Sequence, residues 1–129
     1  MSTLSAIPIQ TPFIDMILDG HKTWEIRSKN TKKIGPVALI RSKSKTVVGT
    51  AILSEVILIT AKLAKENFRR MGMSEKQAIS CKGEFAWVLK DVVKFKKPVP
   101  YVHPSGAITW VTLDEPTTKK VLAEEKKSR

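Results

Sequence analysis

The chain has 129 residues, 42% of them hydrophobic, with 23 lysines and arginines against 12 acids for a formal charge of +11. That is one domain of ordinary size, able to bury roughly two-thirds of its unfolded surface and too apolar for wholesale disorder, and its charge favours a polyanionic partner. The single cysteine, Cys81, excludes an internal disulfide, no Cys/His cluster has zinc-ligand spacing, and the longest mostly apolar stretch, residues 47–60, is too short and interrupted to cross a bilayer.

In chain order, residues 4–9 alternate as a first strand, with Leu4 and Ala6 set against Ile7 and Ile9. Thr11 as N-cap and Pro12 at the first helical position open a helix of two turns. Its Phe13, Ile14, Ile17 and Leu18 form one apolar stripe, and Gly20 closes it as a left-handed cap. Residues 23–28 return to strand, with Trp24 and Ile26 on one face and Glu25 and Arg27 on the other. After a polar loop at 29–33, residues 37–41 form a short strand, 42–45 turn the chain, and 46–59 form a long β-branched strand with a bulge at Gly49.

Thr60 caps a helix running to about Arg70, and Ser74-Glu75-Lys76-Gln77 has capping-box spacing for a second short helix ending near Gly83. Residues 84–95 form a strand with Phe85, Trp87 and Leu89 on one face. Pro98, Pro100 and Pro104 make 96–105 a loop. Residues 107–113 form a last strand with Ile108, Trp110 and Thr112 on one side, and from Pro116 the chain is polar and frayed or loosely helical. The order β-α-β-β-β-α-α-β-β holds too many strands for βαβ units. The expected fold class is therefore α+β, a small β-barrel of five to six strands with short helices flanking a cleft, over residues 1–113, followed by a polar tail at 114–129.

The charge is uneven. Residues 1–28 net −1, residues 29–45 carry six bases and no acid, residues 62–82 net +4 and residues 114–129 net +1. The basic density thus lies inside the domain, and the acid-free run favours a binding face over a merely solvated one. Gly20-His21-Lys22-Thr23-Trp24-Glu25-Ile26-Arg27 leaves a helix and enters a strand, with Glu25 and Arg27 on one face and Lys22 at its mouth. Two cations beside one carboxylate can clamp a phosphate while Glu25 acts as a base or orients Lys22. The plain alternative is a surface ion-pair ladder. Asp15 and Asp19, one turn apart, belong to the solvated face of their helix, and no carboxylate cluster indicates a metal.

A helix followed by Gly20, Lys22, Glu25 and Arg27 at this spacing resembles the signature of the ASCH domain family, a branch of the PUA-like superfamily. Residues 35–42, Val47-Val48-Gly49-Thr50-Ala51, Phe85-Ala86-Trp87-Val88-Leu89 and a closing segment with Tyr101, His103, Pro104, Gly106 and Trp110 resemble further family elements in order. Together they span residues 4–113. The resemblance implies a PUA-like β-barrel with a cleft between barrel and helices. It also implies RNA as partner: binding in general, ribonuclease activity in some members, hydrolysis of acylated cytidine nucleosides in others. Members proposed as amidohydrolases carry a threonine at the Glu25 position; Thr23 is adjacent here, but alternation turns it to the other face.

The expected function is binding of single-stranded RNA or a nucleotide in a basic cleft, with ribonuclease chemistry on Lys22, Glu25 and Arg27. The expected contacts to nucleic acid are Lys22, Arg27, Lys29, Lys32, Lys33, Arg41, Ser42, Lys43 and Tyr101. Arg41 is expected as a third cation at the barrel rim, Tyr101 as a stacking platform, and Trp24, Trp87 and Trp110 as core. His103 could protonate a leaving group, although a histidine in a proline-rich loop is the plainer expectation. An amidohydrolase acting on an acylated cytidine and a non-catalytic adaptor module are the alternatives. No cofactor or membrane partner is expected, and with no basic and apolar leader the expected setting is cytoplasmic and reducing.

Overall fold

The computed structural model describes residues 3–107 and 109–129. The elements are β1 (Ser5–Ile9), α1 (Phe13–Leu18), β2 (Trp24–Arg27), β3 (Gly35–Arg41), β4 (Thr46–Leu58), α2 (Ala61–Asn67), α3 (Glu75–Ser80), β5 (Phe85–Pro100), β6 (Val111–Thr112) and α4 (Glu115–Ser128). The strands make one sheet in the order β2-β5-β4-β3-β1-β6, with β1 and β3 parallel and the other pairs antiparallel.

β4 and β5 run for 13 and 16 residues. Their ladder slips between Val47 and Gly49, Thr50 and Ile52, and Leu53 and Glu55, and these irregularities curl the sheet into a half-barrel. The bulge expected at Gly49 is one of them. A Cβ there would come within 2.5 Å of the Val93 carbonyl oxygen and 2.8 Å of Leu18 Cδ2. The missing side chain lets α1 and β5 close over β4.

β1 and β3 are apolar on both faces because both are covered. Ile7, Ile9, Val37 and Leu39 pack with Ile14 and Ile17 of α1 and with Trp87. Ala6, Ala38 and Ile40 pack on the opposite side with Val121 of α4. A third cluster around Trp24, Ile59, Met71 and Ala86 seats α2 and α3. β6 covers β1 only at Ser5 and Ala6, which leaves the Pro8 carbonyl free to accept from Arg27 on β2, at the far end of the strand order. That bond draws the two ends of the sheet together.

Helix starts and stops follow the local chemistry. Thr60 accepts from the Leu63 amide at 3.1 Å, the capping box at Ser74 and Gln77 is formed, and Gly20 ends α1 at φ +85°. Four expectations change. α1 starts at Phe13 with Pro12 at the cap; Thr11 does not cap it, because the Gln10 and Pro12 carbonyls take the first free amides. Residues 96–100 are strand: Val99 pairs with Val47 and Pro100 with Thr46. β2 pairs with β5 only as far as Val88, so this far end has a strand neighbour on one side, and prolines fit its free edge. The last strand shortens to Val111–Thr112; Trp110 stacks on Trp87 at 5.3 Å, and Ile108 lies outside the described residues.

The fourth change is the C-terminus, which forms a 14-residue helix in place of a frayed tail. Asp114 accepts from the Thr117 amide at 2.8 Å, and Pro116 stands in the first turn. Thr118 and Val121 are buried, and Glu125 accepts from the Thr50 hydroxyl. The helix reads as polar because only this narrow face meets the sheet. No helix among the described residues is long and apolar enough to cross a membrane.

Candidate nucleic-acid interface

The segment after α1 is fixed at both ends by backbone bonds. The His21 and Lys22 amides donate to the Met16 carbonyl, and the Thr23 and Trp24 amides donate to the Arg70 carbonyl. Lys22 is thereby driven inward and is 1% exposed. Its Nζ donates to the Trp24 and Met71 carbonyls, both at 2.6 Å, and lies 5.2 Å from the Phe13 ring centre. Burial pulls its pKa below the ordinary lysine value, against the opposing attraction of Glu25.

Glu25 sits between the two cations. Its Oε1 is 3.9 Å from Lys22 Nζ, and its Oε2 accepts from Arg27 Nε at 3.1 Å. Arg27 bonds the Pro8 carbonyl and lies 5.5 Å over the Trp87 ring. With Glu25 only 7% exposed, this is a packed constellation and not the surface ladder that charge alone allowed. It lines a cavity of about 340 Å³ together with Gln10, Phe13 and Ser42.

A second cavity of about 310 Å³ adjoins it, and Pro8 and Ser42 line both. Lys43, Lys45, Tyr101, His103 and Ala107 complete its wall. His103 Nε2 is 2.8 Å from the Ala107 carbonyl and its Nδ1 is 2.8 Å from the Tyr101 hydroxyl. A carbonyl only accepts, so Nε2 carries a hydrogen, and in the neutral imidazole the tyrosine donates to Nδ1. Burial raises the Tyr101 pKa, which keeps the phenol protonated.

The remaining expected residues are dispersed. Arg41 makes a two-pronged bond to Asp15 at 3.0 and 2.7 Å and lines neither cavity, so its charge is largely neutralised. Asp15 is correspondingly held below the usual carboxylate range by the Arg41 hydrogen bonds. The helix face assigned to solvent is thus a tether, with Asp19 also 3.5 Å from Lys94. Lys33 lies 5.6 Å over the Trp110 ring, the Lys29 carbonyl accepts from Trp87 Nε1, and Lys32 is exposed. None of these three lines either cavity.

Tyr101 is 9% exposed and packed with Phe95 and Val99, so its ring is no free stacking platform. Trp24 and Trp87 are buried and Trp110 is partly buried, as their alternation predicted. Gln10, Phe13, Met73 and Lys45 line the two cavities without having been singled out. Phe13 was legible only as part of an apolar stripe, and Lys45 only as one member of a charge run.

The ASCH domain profile matches residues 7–99. In structure the chain is similar to the ASCH protein of Zymomonas mobilis, at 18% identity and a TM-score of 0.68 over 92% of this chain and 93% of that one. A serine-to-alanine variant of that protein gives 18% identity and a TM-score of 0.70 over 92% and 94% of the two chains. A tyrosine-to-phenylalanine variant gives 18% and 0.68 over 92% and 96%. At this identity the likeness is one of fold. No curated protein matches the chain. The profile runs from inside β1 almost to the end of β5 and takes in Lys22, Glu25 and Arg27, so the chain belongs to the ASCH domain family.

Proposed function

We propose that the chain binds single-stranded RNA, seating one nucleotide at the Lys22, Glu25 and Arg27 cavity while the strand continues past Ser42. The observation that carries this reading is that the two cavities share Pro8 and Ser42 in their walls. That shared wall joins a net-positive pocket to further lysines, and single-strand binders combine a basic groove with apolar surface for bases. Phe13 and Met73 supply that surface beside Arg27.

Cleavage is within the reach of the same trio. Glu25 would take the 2′-hydroxyl proton as the 2′-oxygen attacks phosphorus, Arg27 would offset charge on the pentavalent phosphate, and the P–O5′ bond would break with the 5′-oxygen taking a proton from solvent, while Lys22 holds the start of β2 in place. Anisotropy titration of labelled single-stranded RNA tests the binding: affinity falls steeply as salt rises. Glu25→Gln removes the one negative charge in the trio at constant shape. It tightens RNA binding by roughly two- to tenfold and ends cleavage. Negligible binding at low salt, or binding indifferent to salt, rejects the proposal.

One observation favours a second reading, hydrolysis of an acylated cytidine. Lys22 gives two N–H bonds to its two carbonyl partners and has Glu25 3.9 Å away, and burial lowers its pKa, a direction that favours giving up its remaining proton and serving as a base beside Glu25. The threonine that proposed amidohydrolases carry is replaced here by Glu25, and Thr23 does not line the cavity. Turnover of an acylated cytidine nucleoside by the purified protein decides it.

A further inference from the structure

The β3–β4 turn holds two lysines in a backbone conformation that lysine disfavours. Lys43 has φ +69° and Lys45 has φ +57°. Glycine or asparagine is the ordinary occupant of such positions, because a Cβ followed by a long side chain crowds the next carbonyl. Asp91, the third non-glycine residue with positive φ among the described residues, is of a type that tolerates it.

The turn cannot relax. The Ser44 hydroxyl donates to the Arg41 carbonyl at 2.7 Å, the Ser42 amide donates to the Ile9 carbonyl at 2.9 Å, and the Lys45 carbonyl accepts from the Tyr101 amide at 3.1 Å. Both lysines line the second cavity together with Ser42, Tyr101 and His103. Neither forms a salt bridge among the described residues. The position therefore favours conformationally cheap residues, yet it carries two cations, without a salt bridge among the described residues, in the wall of a cavity.

We infer that this turn is a phosphate subsite, in which Lys43 and Lys45 hold the phosphate next to the nucleotide seated at Lys22, Glu25 and Arg27. The inference rests on the RNA reading above and adds the division of labour: one cavity takes the nucleotide, the strained turn takes the adjoining backbone phosphate. Backbone strain at the turn is maintained in exchange for binding, so relieving it separates stability from affinity.

The test compares the wild type with a Lys43→Asn, Lys45→Asn double variant, using a ribonucleoside monophosphate and a single-stranded RNA hexamer as probes. The variant binds the mononucleotide like the wild type and binds the hexamer roughly tenfold more weakly. Its plot of log affinity against log salt is shallower by about 1.4, the loss of two phosphate contacts on a single strand. Its Tm rises by about 2–5 °C because asparagine tolerates the positive φ that the turn imposes. Lys43→Arg with Lys45→Arg restores hexamer binding.

Equal hexamer affinity and salt slope in wild type and the asparagine variant overturns the subsite while leaving RNA binding intact. A fall in Tm overturns the strain argument on which it stands. A wild type that binds neither probe overturns the RNA reading and the subsite together.

Discussion

Lys22 shows how far motif spacing and side-chain environment can diverge. The spacing marks it as a cation beside Glu25, whereas its burial makes it a strut between the start of β2 and the Met71 carbonyl. Lys22→Met removes the charge and strands two carbonyls, and a loss of about 2–4 kcal/mol is expected in urea unfolding. The pH dependence carries a separate signature. The folded pKa is lowered by burial, so between it and the free-lysine value near 10.4 the unfolded chain holds a proton that the folded chain has shed. Wild-type stability therefore rises with pH through that window, and in Lys22→Met this contribution to the rise is absent. Arg27 has a similar double life: the Pro8 bond closes the sheet, and the Glu25 bond sets the carboxylate. The strand alternation predicted that Glu25 and Arg27 share a face; no local pattern announces that a proline carbonyl 19 residues away receives the guanidinium.

At the scale of elements, caps and turns were legible because they are built from neighbours. The Ser74 capping box, the Thr60 cap and Gly20 each act within four residues. Polar composition hid α4, since its seat on the sheet needs little more than Thr118 and Val121. Val121→Asp places a charge in that seat and costs about 3–4 kcal/mol in urea unfolding. Leu122→Asp, at a residue 43% exposed, shifts stability by less than about 0.5 kcal/mol. The end of β5 escaped notice for a related reason. Prolines read as loop unless the strand has an unpaired edge, and pairing partners are a property of the whole sheet.

At the scale of the molecule, the basic run at residues 29–45 divides into three. Lys29, Lys32 and Lys33 lie outside both cavities, Arg41 is paired to Asp15, and Lys43 and Lys45 face the second cavity. In the proposed RNA complex the first group would act through its field and the last through contact. Replacing Lys29, Lys32 and Lys33 by glutamine slows RNA association several-fold at low salt, with little change in dissociation. Stopped-flow binding at two ionic strengths measures this, and the difference vanishes at high salt because screening removes long-range attraction.

The amino-acid order alone determined the α+β, barrel-like class, most helix ends, the Gly20–Arg27 signature and the uneven basic charge, which follow from periodicity, spacing and composition. Tertiary structure decided which cations stay available. Lys22 is consumed by two carbonyls and Arg41 by a carboxylate 26 residues away, while Lys45 lines the second cavity without a salt bridge among the described residues. Formal charge is a property of the residue, but its availability depends on which groups the fold brings within hydrogen-bond distance.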